Sequence, residues 1–164
     1  MPTFRSTRQV KHSAAEMFAL VAEVERYPEF VPLCESLRVV RRAKSGEGIE
    51  TIVAAMSVGY KAIRESFTSR VELDHPRLRI DVEYVDGPFK YLENRWTFRD
   101  VPGGSEVGFY INYEFKSFAL GILMGAVFDK AFRKFAEAFE ERADFVYSAK
   151  LRVGNVGQLG QPQP

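Results

Sequence analysis

The sequence predicts an α+β fold: a seven-stranded antiparallel sheet packed around a long C-terminal helix. Three observations predict it. Six alternating runs follow one another between residues 37 and 115 with only short turns between them, an arrangement open to antiparallel neighbours and closed to parallel ones. A further alternating run lies at residues 3–10. Beyond residue 117 the period changes, and Phe128, Phe132, Phe135, Phe139 and Val146 recur at three, four and seven residues, one face of a helix. A lone amphipathic helix has to bury such a stripe on a sheet.

The elements follow in order. In Thr3–Val10, Phe4, Ser6, Arg8 and Val10 share one side. Ser13, with Glu16 three residues on, reads as a capping box opening a helix over AAEMFALVAEVERY that Pro28 ends. Phe30–Leu33 reads as a second short helical turn. Strands follow at Leu37–Lys44, Ile49–Tyr60 and Lys61–Leu73, the last with Ile63, Phe67, Val71 and Leu73 on one parity and Glu65 and Ser69 as its polar members. After the turn at His75-Pro76-Arg77, Leu78, Ile80, Val82 and Tyr84 alternate. Leu92, Asn94, Trp96 and Phe98 alternate after the turn DGPF, and Val107 to Phe115 after VPGG. The long helix spans Ser117 to Ala149. Residues 1–149 form one domain, and the Gly/Gln/Pro-rich remainder, 150–164, reads as a disordered tail.

With 164 residues and 46% hydrophobic content, a core is attainable without disulfides or metal. Phe and Tyr number 14 and 7, enough to fill a thick core or line an apolar cavity. The net charge of +1 supplies no field for nonspecific nucleic-acid binding, and no DNA partner is expected. One Cys and two separated His give no disulfide and no metal-ligand spacing. MPTFRSTRQV carries no apolar leader segment, so a cytoplasmic compartment is expected.

Catalytic patterns are missing: there is no phosphate-binding Gly loop followed by lysine and no nucleophile elbow. His12 and His75 read as surface or capping groups, and Cys34 as a small buried residue. Glu65, Asp81, Glu83 and Glu93 read as a solvated sheet face; a carboxylate turned inward would instead carry a raised pKa fit for acid–base work.

Three stretches fit a plain globular domain less well. YPEFVPLCESLRV, residues 27–39, is a Pro-kinked connection, yet it carries Tyr27, Phe30, Val31 and Leu33. Either these plug one end of the core, or they form a lip. RVVRRAK, residues 38–44, reads as charge protecting an edge strand or as a contact for RNA or anionic headgroups. FALGILMGAVF, residues 118–128, is apolar nearly all round. It is too short to span a bilayer, so either loops cover it or it meets something apolar outside the chain. Its Gly121 and Gly125 thin the helix, for a close ligand or for simple packing.

Taken together, LVAEVERYPEFVPLCESLRVV (20–40), YVDGPFKYLENRWTF (84–98) and YEFKSFALGILMGAVFDKAFRKFAEAFEERA (113–143) resemble the coenzyme Q-binding family of START-like (polyketide cyclase/dehydrase-type) domains. Bacterial members of that family carry the name ribosome association toxin RatA. The resemblance spans residues 1 to about 147. It implies a helix-grip (START/Bet v 1-like) fold with a hydrophobic tunnel. It further implies ubiquinone or a similar polyprenyl lipid as bound ligand with no other cofactor, a chaperone role in respiration without catalysis, and peripheral contact with the inner membrane. One departure stands out: many relatives carry Trp before the Cys, where this chain has Leu33.

On that reading the tunnel lining is expected from Phe67, Trp96, Phe109, Ile111, Tyr113, Leu123, Val127 and Phe128. Phe30, Val31 and Leu33 would form the gate, with Phe89 nearby. Two other functions stay open. A RatA-type toxin would bind the large ribosomal subunit, using Arg38, Arg41, Arg42 and Lys44. A cyclase/aromatase-like enzyme would need a carboxylate or His aimed into the cavity, with Glu65 and Glu93 as the main candidates.

Overall fold

Short connections carry the chain from β1 (Thr3–Val10) through α1 (Ala14–Ala22) and a 3-10 helix (Val24–Glu29) into a strand meander. The meander runs through β2 (Cys34–Lys44), β3 (Ile49–Tyr60), β4 (Ile63–Asp74), β5 (Arg79–Asp86), β6 (Phe89–Val101) and β7 (Gly104–Phe115), and α2 (Phe118–Leu159) follows. This computed structural model describes residues 3–159, with side chains described to Ser148. All strands pair antiparallel in one sheet, in the order β1-β7-β6-β5-β4-β3-β2. The expected α+β class, seven strands and long closing helix are all present.

The capping box at Ser13 forms in both directions: Ser13 Oγ accepts from the Glu16 amide at 3.1 Å, and Glu16 Oε1 accepts from the Ser13 amide at 3.0 Å. The helix it opens stops at Ala22, five residues short of the expected end. Pro28 has no N–H for the carbonyl of Val24 and its ring crowds that carbonyl, so the chain tightens into the 3-10 turn. Phe30–Leu33 is therefore a turn and not a second helical turn. At the far end α2 takes in residues 150–159, which the sequence reading gave to the tail; residues 160–164 lie outside the described residues.

The inner sheet face carries the core. Met124, Phe128, Phe132 and Phe139 of α2 are buried against it. Trp96 meets Phe139 edge-on at 5.0 Å, and Tyr113 meets Phe132 at 5.0 Å. Each large side chain removed from water here contributes about 1.5–3 kcal/mol. His12 is buried, not on the surface as expected, and its Nε2 lies 2.7 Å from Asp144 Oδ1. This contact ties the start of α1 to α2. Phe18 packs on Phe98 and His75, so α1 closes the end of the sheet where the β4–β5 connection lies.

β2 is an edge strand. It carries exposed Arg38 and Arg41, and its pairing with β3 shifts register between Val39 and Arg41. Cations and a bulge together blunt an edge against further pairing. Arg42, also exposed, is paired with Glu50 and Glu25.

Candidate functional site: an apolar cavity under the 24–33 segment

Between the inner sheet face, α2 and the segment after α1 lies a cavity of about 110 Å³. The segment supplies Val24, Tyr27, Val31, Pro32 and Leu33 as one wall. Strands β2 to β4 supply Leu37, Ala54, Met56, Val58, Phe67, Ser69 and Val71. Strands β5 to β7 add Val82, Phe89, Leu92, Asn94, Trp96 and Ile111, and α2 adds Phe128, Ala131, Phe132, Phe135 and Phe139. No charged side chain and no histidine is among them.

The Pro-kinked segment divides its residues between two duties. Val31 is 6% exposed and part of the core. Pro32 and Leu33 are the middle of a turn closed by the Cys34 amide donating to the Val31 carbonyl at 3.2 Å. Leu33 has φ +68°, the left-handed conformation that the third position of a type II turn demands and that glycine normally fills. A leucine there costs roughly 1–2 kcal/mol. The Gly59 amide, donating to the Leu33 carbonyl, anchors the turn to β3.

The twelve residues expected at the site separate. Val31, Leu33, Phe67, Phe89, Trp96, Ile111 and Phe128 line the cavity. Phe30 instead packs edge-on against Tyr27 and Phe139, under the Arg142 guanidinium. Phe109 is buried beside the cavity, between Trp96 and Phe4. Tyr113 lies behind the lining against Phe89 and Phe132. Val127 packs at the core margin. Leu123 points outward and is 64% exposed, because the register that turns Met124 and Phe128 inward turns Leu123 out. Phe118 and Ile122 share its exposed side, so no loop among the described residues covers the start of α2.

Sequence reasoning missed Met56, Val58, Val71 and the aromatic Phe132, Phe135 and Phe139 as lining groups. It also missed the polar pair Ser69 and Asn94, although both sat on parities already read as apolar. That mismatch was the available signal. Phe89 reaches the cavity because Gly87 takes φ +147°, with a hypothetical Cβ only 2.5 Å from Phe67 Cβ. The Tyr84 hydroxyl also accepts from the Phe89 amide at 3.1 Å.

Chemistry inside is muted. Burial pushes the Cys34 thiol up to about 11, which keeps it protonated and unreactive near neutrality. Burial likewise pushes the Tyr113 phenol up to about 12. The Tyr27 phenol is raised by burial and by Cys34, and it donates to the Val21 carbonyl. Glu93 is on the outer face, accepting from the Tyr110 hydroxyl at 3.0 Å. Glu65 is not on that solvated face: it shares the inward parity of Phe67, half-buried, but does not line the cavity. Asp81 sits outside, where burial pushes its carboxyl up and Arg79 and Arg95 outweigh that and hold it below the usual range. No cluster of groups able to hold a metal ion occurs among the described residues.

A family model described as polyketide cyclase/dehydrase and lipid transport matches residues 10–140. The chain belongs to this family. Family membership fits the cavity, since both the fold and the closing helix are those of START-like domains. The ribosome association toxin RatA of Rickettsia prowazekii is 31% identical over 146 residues, 87% of this chain and 97% of that protein. The mitochondrial coenzyme Q-binding protein COQ10 of Drosophila melanogaster is 32% identical over 135 residues, 79% of this chain and 53% of that longer protein. The solution structure of the 18 kDa protein CC1736 from Caulobacter crescentus superposes with a TM-score of 0.74 at 33% identity, covering 90% of this chain and 99% of that one.

Proposed function

We propose that this protein binds ubiquinone or a similar polyprenyl lipid in the cavity, without transforming it, and supports respiratory electron transport by carrying it. The observation that carries this reading is the cavity itself: walled mainly by aromatic and aliphatic side chains, and free of charged groups. Each buried CH₂ of an isoprenoid tail contributes about 0.8 kcal/mol, so affinity needs few polar contacts. The name of the COQ10 relative supports the ligand class. An acid–base enzyme needs a group that titrates near neutrality against its substrate, and the only titratable side chain among the lining residues is Tyr27, whose phenol is raised by burial and donates to the Val21 carbonyl.

Pockets that take drug-sized ligands measure roughly 300–1,000 Å³, well above the space present. The cavity thus receives a ring and the first isoprenoid carbons, and the rest of the tail leaves past Leu33. Strands β3 and β7 run in the same direction, so the Leu33 turn at Gly59 and the start of α2 lie at one end of the sheet. Phe118, Ile122 and Leu123 are exposed there beside Lys116. Apolar groups rimmed by a cation suit peripheral contact with an anionic bilayer. No helix among the described residues is long and apolar enough to cross a membrane.

The test is mass spectrometry on the organic extract of protein purified from a respiring host, followed by titration with short-chain ubiquinone. A quinone in the extract supports the reading; no lipid in the extract and no uptake overturns it. A second reading, association with the large ribosomal subunit, is favoured by the RatA relatives and by exposed Arg38 and Arg41 on β2. Co-sedimentation with ribosomes that persists at moderate salt supports it, and its loss there counts against it.

A further inference from the structure

We infer that Ser69 and Asn94 form a polar clamp inside the cavity for a ring bearing two opposed oxygens. This rests on the lipid-binding reading and adds what the cavity selects. Ser69 lines the cavity and is only 6% exposed, yet its Oγ has no hydrogen-bond partner among the described residues. A buried hydroxyl left unpaired is costly. Its neighbours across the sheet are Ala54 and Tyr84, and the Tyr84 hydroxyl is turned to the Phe89 amide. Asn94 is the other amide or hydroxyl of the lining with a donor to spare; the Ser105 and Tyr113 hydroxyls are also buried without a partner among the described residues but do not line the cavity. Its Nδ2 donates to the Tyr110 carbonyl at 2.8 Å, which fixes the side chain. A carboxamide has two N–H donors and a carbonyl acceptor, so one donor and the acceptor remain.

The register sets their separation. Ser69 is opposite Tyr84, and Asn94 is opposite Val82. The two residues are thus two strands and two positions apart, roughly 12 Å between Cα atoms, and less between polar tips on the concave face. A 1,4-benzoquinone with a hydrogen bond of about 2.8 Å at each carbonyl spans a comparable distance, roughly 10 Å. A fatty acid has its oxygens on one carbon and brings a charge that no cation in the lining answers. A hydrocarbon leaves Ser69 unpaired. Hydroxyl and carboxamide both donate and accept, so the clamp takes quinone and quinol alike, and the ligand is carried in either redox state.

The test uses the single tryptophan. Trp96 is 3% exposed and lines the cavity, so its fluorescence reports occupancy. The full chain is titrated with a ubiquinone carrying two isoprenoid units and with its quinol. An isoprenoid hydrocarbon of equal tail length and a fatty acid are titrated in competition. Ser69→Ala and Asn94→Leu should each weaken quinone and quinol several-fold to about tenfold and leave the hydrocarbon unchanged, and Ser69→Thr should restore binding. Equal loss for every ligand, or no loss for quinone in variants with unchanged thermal unfolding, overturns the clamp while lipid binding stands. Wild-type protein that takes hydrocarbon or fatty acid but no quinone overturns the clamp and the quinone reading together. Tight quinone binding with none for quinol overturns the claim that the clamp is indifferent to redox state.

Discussion

The amide of Gly59 donates to the carbonyl of Leu33 at 3.0 Å, and so a leucine in the left-handed region is pinned to the end of β3 with its side chain on the cavity. Two positions away, Val31 is core. Lysine substitutions should therefore part company. Val31→Lys should cost roughly 3 kcal/mol or more by burying an unpaired ammonium. Leu33→Lys should shift stability far less but reduce quinone uptake. Thermal unfolding together with Trp96 quenching separates the two.

Gly87 has no room for a side chain. Its φ of +147° and the 2.5 Å approach of a Cβ to Phe67 Cβ mean that Gly87→Ala must move Phe67 or the backbone of the turn. A loss of about 2–4 kcal/mol is expected, with weaker ligand binding because Phe67 and Phe89 both line the cavity. Denaturant unfolding measures the first and quinone titration the second.

The Cys34 thiol gives a pH signature. Its pKa in the folded chain is about 11, raised by burial from an ordinary value of 9.0. Between these values the folded state holds a proton that the unfolded state has released. Stability contributed by the neutral thiol is thus complete below pH 9 and declines as pH rises from 9 to 11, by an amount of order 2 kcal/mol. Cys34→Ala should flatten that alkaline limb in unfolding curves. The native thiol should also react slowly with a disulfide reagent at pH 7.

On the acid side, burial pushes the Glu50 carboxyl up, but the Arg42 guanidinium, with Lys44 and His75, outweighs it and leaves the pKa below the usual range. The unfolded chain then binds a proton at higher pH than the folded one does. Stability from this group is present above the ordinary Glu value, about 4.3, and is lost as pH falls below it. Glu50→Gln should lower stability at pH 7 and shallow the decline toward pH 3, as read from denaturation midpoints.

Replacing Phe118, Ile122 and Leu123 together by serine should leave unfolding nearly unchanged, since all three are exposed. Co-sedimentation with anionic vesicles should fall several-fold. Unchanged vesicle binding removes the start of α2 as the contact.

Much was legible before folding. The Ser13–Glu16 box and the aromatic stripe of α2 are local patterns, fixed by residues three and four apart. Strand number and antiparallel order follow from alternation and turns too short for a crossover. Legibility failed where Pro28 acted back on Val24 and shortened α1, and where Leu123 was grouped with Phe128, which lies about 140° around the helix.

The sequence by itself determined the order of the main elements, most of their faces and the family, because those depend on period and on short motifs. Only the tertiary structure decided which inward residues border empty space. Phe109 and Phe67 belong to equally clear apolar parities, yet only Phe67 lines the cavity. Sheet curvature, the line of α2 and the left-handed turn at Leu33 leave room beside one and fill it beside the other. The same geometry leaves the Ser69 hydroxyl without a partner, a fact that the alternation of β4 hinted at and only packing against distant strands made definite.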